Sequence, residues 1–374
     1  MYWLCGAYTI SIGLILLIFV TQKIFVNNKG KIIKRCYNPI LTFIYICPLT
    51  YVAACRYKFW DTGDYRLMYI AVGESFENVF NNITGHVEKG YLLFTALLNK
   101  ISNNSQFLII VSSVFTLFII CYFLYKESPN LPISFLIFSS QVWMTTMNGL
   151  RQYMVVAMLC LAWIKWTKRK KQSKKENFIF TLSILLMATF HRSVLICVPM
   201  FFLARGKLLN KKVMICIGVA ALMVLFPPMY NLFFGVLLGG TEYENYVDTD
   251  ATMGIFRFII SCFPVILIWI YYHIQLKNKN INLNKKEIWM MNLSCLGFAC
   301  NILALKMIYF ARIGIYFSIF DLITIPYCIE KCFVEKSKNF IIILLFIFYA
   351  CFFYVQLIAY GGYAINFQLF YEVK

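Results

Sequence analysis

Apolar runs of nearly uniform length alternate with short polar gaps along almost the whole chain. A helix that crosses a bilayer needs about 20 mostly apolar residues, within roughly 17–25. Such runs cover Tyr2–Val20, Pro39–Cys55, Phe107–Tyr125, Leu131–Met147, Leu150–Trp166 and Phe178–Phe190. They continue through Val194–Ala204, Val213–Phe226, Phe258–Ile274, Ile288–Leu305, Ile313–Ile329 and Phe340–Tyr360. The pattern predicts an all-α, polytopic integral membrane protein with about twelve transmembrane helices, in a range of about ten to twelve. Phe178–Phe190 and Val194–Ala204 are short and meet at His191-Arg192-Ser193, as tilted spans or half-helices would. No Gly/Ser-rich linker interrupts the series, so one transmembrane domain is expected over residues 1–374. Two longer gaps, residues 56–106 and 227–254, are expected to be external loops.

Charge sets the orientation. The gap Thr21–Tyr37 holds Lys23, Lys29, Lys31, Lys34 and Arg35. Lys165–Asn177 holds Lys165, Lys168, Arg169, Lys170, Lys171, Lys174 and Lys175. Taking every second gap as cytoplasmic puts 24 Lys/Arg and 5 Asp/Glu inside, against 11 and 10 outside. This is the positive-inside bias of a multi-pass protein, and it predicts extracytoplasmic N- and C-termini. Met1–Val20 has no preceding cations, so it is expected to be an anchor rather than a cleaved leader. Trp163, Trp166, Trp289, Tyr271 and Tyr272 stand near span ends, where an aromatic belt belongs.

Composition agrees. The 374 residues are 61% apolar and 14% charged, with a mean hydropathy of +0.71. The net charge of +19 is accounted for by the cytoplasmic gaps and anionic headgroups, and implies no nucleic-acid partner. Most of the 14 cysteines, such as Cys121, Cys160, Cys216, Cys262 and Cys351, lie within apolar runs and act as small hydrophobes. Cys328 and Cys332 have no accompanying histidines, so neither zinc nor disulfides are expected.

The candidate chemistry lies on the external side. Arg56, Arg66, Arg151, Arg192, Arg257 and Arg312 sit at or near outer span ends, against the positive-inside bias. Guanidinium groups fork onto phosphate oxygens, so the six arginines are candidate ligands for a lipid diphosphate at headgroup depth. The plain alternative for each is snorkelling or a structural ion pair. Four patterns frame them. The first runs from Arg56 through Asp61, Asp64, Tyr65 and Tyr69 to Glu88-Lys89-Gly90-Tyr91. The others are Asn148-Gly149-Leu150-Arg151-Gln152, His191-Arg192-Ser193 with Pro199, and Arg312-Ile313-Gly314-Ile315-Tyr316-Phe317 with Pro326. His191 is the first candidate base and Asp64 the second, with Asp61 and Glu88 as rivals. Asp321 lies mid-span and is expected to make a structural pair or a buried hydrogen bond. Asp248-Thr249-Asp250 sits in an acidic loop and is read as solvated, with no metal.

These four patterns, in this order and on these topological positions, resemble the EpsG-type branch of the Wzy polysaccharide polymerases. The resemblance covers nearly the whole chain. One departure is Asp61-Thr62-Gly63-Asp64, where the family more often has Gly-Thr-Asp. The resemblance implies an enzyme of the bacterial cytoplasmic membrane that joins polyprenyl-diphosphate-linked oligosaccharide repeat units by glycosyl transfer. It implies no cofactor. It implies a flippase and a chain-length regulator as partners, and O-antigen, capsule or exopolysaccharide as product. Two competing readings are a flippase or transporter for the lipid-linked sugar and another membrane glycosyltransferase or O-antigen ligase. Transporters of that kind show internal repeats, which are absent here, and ligases typically carry a larger external domain.

Overall fold

The computed structural model describes residues 1–26, 32–80, 87–168, 172–229, 252–277 and 284–372. Asp248-Thr249-Asp250, Glu242, Glu244 and His86 lie outside the described residues, as do Lys29, Lys31 and Arg169-Lys170-Lys171.

Each expected apolar run lies on helix. Tyr2–Thr21, Pro39–Cys55, Gln106–Glu127 and Leu150–Thr167 match their runs to within a few residues. Among the described residues, four helices are long and apolar enough to cross a membrane: Tyr2–Thr21, Gln106–Glu127, Ile255–Ile274 and Ser337–Ala359. The run Ile313–Ile329 is broken into Tyr309–Ser318 and Asp321–Cys332, bent by 52°, and would make a fifth if it is one span. The shorter apolar helices include Pro39–Cys55 and Arg192–Leu203. This mainly helical architecture is compatible with an all-α membrane protein, with some helices well below full spanning length.

By contact the chain packs as two compact units, Met1–Arg192 with Val334–Lys374, and Ser193–Phe333.

In the first unit, Gln106–Glu127 packs between Pro39–Cys55 and Leu150–Thr167, and Tyr2–Thr21 lies on Pro39–Cys55. Leu131–Ile137 and Trp143–Asn148 are joined by a π-helical turn, Phe138–Val142. A π turn disturbs the regular ladder of backbone bonds, and bare polar groups are costly in an apolar setting. Side chains supply partners here. Gln356 Nε2 donates to the Gln141 carbonyl at 3.2 Å, and Thr145 Oγ1 donates to the Val142 carbonyl at 2.6 Å. Among the described residues two short antiparallel ribbons interrupt the helices. Lys23–Val26 pairs with Ile32–Cys36, and Arg56–Lys58 pairs with Gln368–Leu369 near the other end of the chain.

In the second unit, Lys285–Leu303 packs on Lys211–Leu225 and on Tyr309–Ser318. Gly297 makes the latter contact close: a Cβ there would stand 3.1 Å from Phe317 Cβ and 3.2 Å from the Ser318 nitrogen. Small residues let membrane helices approach in this way. Asn292 is fully buried and fully engaged. Its Nδ2 donates to the Ala204 and Lys207 carbonyls at 2.8 and 3.0 Å, and its Oδ1 accepts the Leu209 N–H at 2.9 Å. It thereby holds Leu209 at a positive φ of 50°. Asp321 opens the second half of the bent helix. It is buried beside Ser294, whose hydroxyl bonds Thr324 Oγ1 at 3.0 Å.

Candidate active site

The site is organised around Glu88. This residue stands at the N-cap of the Lys89–Asn99 helix, yet its side chain does not cap that helix. It turns instead toward the corner that follows the Lys174–Met187 helix. That corner is tight: the Phe190 and His191 N–H groups both donate to the Met187 carbonyl, at 2.9 and 3.1 Å. The two segments are tied by a backbone bond from Tyr91 N to the Thr189 carbonyl, 3.2 Å. Gly90 makes the approach feasible, because a Cβ there would overlap the Thr189 side chain and its carbonyl.

Three groups converge on the Glu88 carboxylate. Oε1 accepts the Arg192 backbone N–H at 2.8 Å and faces His191 Nδ1 at 3.5 Å. Oε2 pairs with Arg151 Nη1. Arg151 arrives from the first turn of the Leu150–Thr167 helix, which Gly149 opens. Its guanidinium also lies 5.8 Å from the Tyr91 ring centroid and is engaged by the Tyr65 hydroxyl. Burial by itself would raise the Glu88 carboxyl. The His191 imidazole, the Arg192 N–H and the Arg151 charge outweigh it and hold the group down at about 2. Glu88 is therefore an anion at any working pH. His191 remains about a quarter exposed, at 26%.

Around this centre the other sequence candidates fall into distinct settings. Arg56 is 1% exposed and points inward. Its Nε donates to Thr62 Oγ1 at 3.1 Å, its Nη1 to the Ala53 carbonyl and to Ser113 Oγ at 2.9 Å, and its Nη2 to the Met147 carbonyl at 3.4 Å. Four of its five N–H donors are thus engaged. Burial pulls the guanidinium down to about 9, which still leaves it charged at neutral pH. Arg66 donates to Gln106 Oε1 and to the Arg56 carbonyl, and lies 4.5 Å from the Tyr57 ring centroid. Tyr69 is buried and donates to the Ser102 carbonyl at 2.5 Å. Gln152 is buried one residue beyond Arg151. Tyr65 meets Tyr91 edge to face at 6.2 Å, and Tyr91 is itself fully buried. Asp61 occupies the N-cap of the Thr62–Val72 helix, and Asp64 lies exposed on its first turn. The Arg192 side chain is exposed.

The remaining candidates belong to the second unit. Arg257 is exposed near the start of Ile255–Lys277, and Arg312 is exposed with its guanidinium 5.6 Å from the Tyr309 ring centroid. Tyr316 Oη and Ser193 Oγ share a hydrogen bond of 2.9 Å. Among the described residues no group of three or more His, Cys, Asp or Glu could hold a metal ion.

The structure thus brings the first, second and third sequence patterns onto one carboxylate. Sequence reasoning places Glu88 only among rival acids. The available signal was Gly90 two residues on, which marks a close backbone approach without naming its partner. Ser113, Gln106 and Thr189 gave no signal.

No curated protein and no solved structure matches the chain. The sequence does match the EpsG family over residues 39–370, from the second helix to the last short strand, and that stretch contains every residue of the cluster just described. The chain belongs to the EpsG family.

Proposed function

We propose that this protein polymerises a polysaccharide at the outer face of the bacterial cytoplasmic membrane, joining oligosaccharide repeat units carried on polyprenyl diphosphate. The family match supports a polymerase-type role. The observation that carries the chemistry is the Glu88-centred cluster of imidazole and guanidinium.

In the proposed reaction a sugar hydroxyl of one unit attacks the anomeric carbon of another. The new C–O bond forms as the bond to the diphosphate oxygen breaks, and polyprenyl diphosphate leaves. The hydroxyl proton goes to His191. A carboxylate held at about 2 is too weak a base for that step. Its role is to receive the Nδ1–H side of the imidazole, which leaves Nε2 as the proton acceptor. The 3.5 Å separation is one that closes as substrate binds. Arg192, whose guanidinium is exposed, and Arg151, anchored through one nitrogen on Glu88, offer N–H donors to the leaving diphosphate. Arg56, with most of its donors engaged, positions the start of the external loop instead. Arg66, Arg257 and Arg312 are further candidate diphosphate ligands.

The topology belongs to the same proposal: about twelve spans, with both termini outside. A deletion strain tests the reaction class. It should accumulate single repeat units on the lipid carrier and show no polymer ladder. A full ladder in that strain would refute the reading.

A further inference from the structure

Around the paired strands Arg56–Lys58 and Gln368–Leu369 the first unit carries a group of partly exposed aromatic residues, and they divide into two kinds. Trp3, Tyr51 and Tyr371 have their polar tips occupied. Trp3 Nε1 donates to Glu372 Oε1 at 2.8 Å, and the Tyr51 and Tyr371 hydroxyls bond each other at 2.9 Å. Trp60 and Tyr363 differ. Their rings are stacked at 4.4 Å and 14°, with 37% and 48% of their surface exposed. Among the described residues neither the Trp60 indole N–H nor the Tyr363 hydroxyl has a hydrogen-bond partner.

The backbone that presents Trp60 is strained. Its φ is +48°, in the left-handed region where a tryptophan side chain is disfavoured. Neighbours hold it there. Phe59 is fully buried against Tyr360 and Phe367, and Arg56–Lys58 is paired with Gln368–Leu369. Tyr360 also braces the edge of the Trp60 ring, at 5.7 Å. A glycine would fit the turn without strain, so the position holds an indole against the local backbone preference. Strain of this kind points to a use for the side chain.

We propose that the Trp60–Tyr363 stack is a saccharide platform, on whose exposed face a pyranose ring of the oligosaccharide substrate packs. The C–H-rich face of a pyranose is weakly electropositive and suits the negative face of an aromatic ring. The indole N–H and the phenol O–H stand at the rim as donors for sugar hydroxyls. The proposal rests on the polymerase reading for the identity of the ligand. It adds a subsite formed by residues from the first external loop and the C-terminal segment.

The test is direct binding, which needs no turnover. The probe is the free oligosaccharide released by partial acid hydrolysis of the producing strain's own polymer. It is titrated by calorimetry into the purified full-length chain in nanodiscs. Trp60→Gly should weaken binding about 10-fold in a chain that still folds and is recovered in nanodiscs. Trp60→Phe should retain most of the affinity, and Trp3→Phe should bind as the parent does. Unchanged binding in Trp60→Gly would overturn the proposal and leave the ring as a membrane-interface anchor. If the deletion strain still made polymer, the polymerase reading would fail by itself, and this titration would still report whether the stack holds sugar.

Discussion

Glu88 accepts from a guanidinium and a backbone N–H and faces an imidazole, and this crowding fixes how it responds to pH and to substitution. Its carboxyl is held at about 2, below its ordinary 4.5. Folding therefore gains from the ionised group at all pH values above about 4.5, and the gain is lost as pH falls toward 2. Acid unfolding of the parent should show that loss, and Glu88→Gln should flatten the corresponding part of the curve while lowering stability at neutral pH. A Glu88→Gln curve that overlays the parent would exclude the ion-pair role. His191→Gln should cut polymerisation roughly 10²–10⁴-fold, the usual worth of a positioned base, far beyond any loss from its contact with Glu88. Asp64→Asn, altering an exposed residue on a helix surface, should leave the polymer ladder intact. The reverse pattern, a ladder in His191→Gln and none in Asp64→Asn, would move the base to the first external loop.

At the scale of elements, two close approaches hold the described parts in register. The first is the seat of the Lys89–Asn99 helix on the corner at Thr189. Gly90→Ala should cost about 1–3 kcal/mol as an overpacked contact and lower activity with it, read as a drop in melting temperature and a shortened ladder. The second is the Asn292 anchor. Asn292→Ala leaves the buried Ala204 carbonyl, the partly buried Lys207 carbonyl and the Leu209 N–H without their partner, and should cost roughly 1–3 kcal/mol. Unchanged thermal stability in either variant would refute its packing argument. The helices themselves were legible in the sequence, because apolar runs of bilayer length leave few alternatives. The Pro39–Cys55 run matches its helix to the residue. The two ribbons were not legible. Lys23–Val26 and Ile32–Cys36 are short and lie in a cation-rich gap, and Arg56–Lys58 finds its partner strand near the opposite end of the chain. The residue types of the site could be read from the sequence, but its centre could not. Which acid becomes the hub depends on Gly90 meeting Thr189, a contact that no local pattern encodes.

For the molecule as a whole, the alternation of charged gaps predicts that the external loop, the Glu88 cluster and both termini share the outer face. Alkaline phosphatase fused after Lys374 should be active, and a reporter that works only in the cytoplasm should be silent there. The opposite result would change the span count by one, most directly around Phe178–Ala204, where the described helices are shorter than a bilayer is thick. The central claim is that the protein forms glycosidic bonds by displacing polyprenyl diphosphate. Its most direct test is reconstitution of the purified chain in nanodiscs with the lipid-linked repeat unit as sole substrate. The account predicts a ladder of products, with one polyprenyl diphosphate released for each bond formed and both signals lost in His191→Gln. No ladder from a substrate that a producing strain polymerises, or a ladder without polyprenyl diphosphate release, would contradict it.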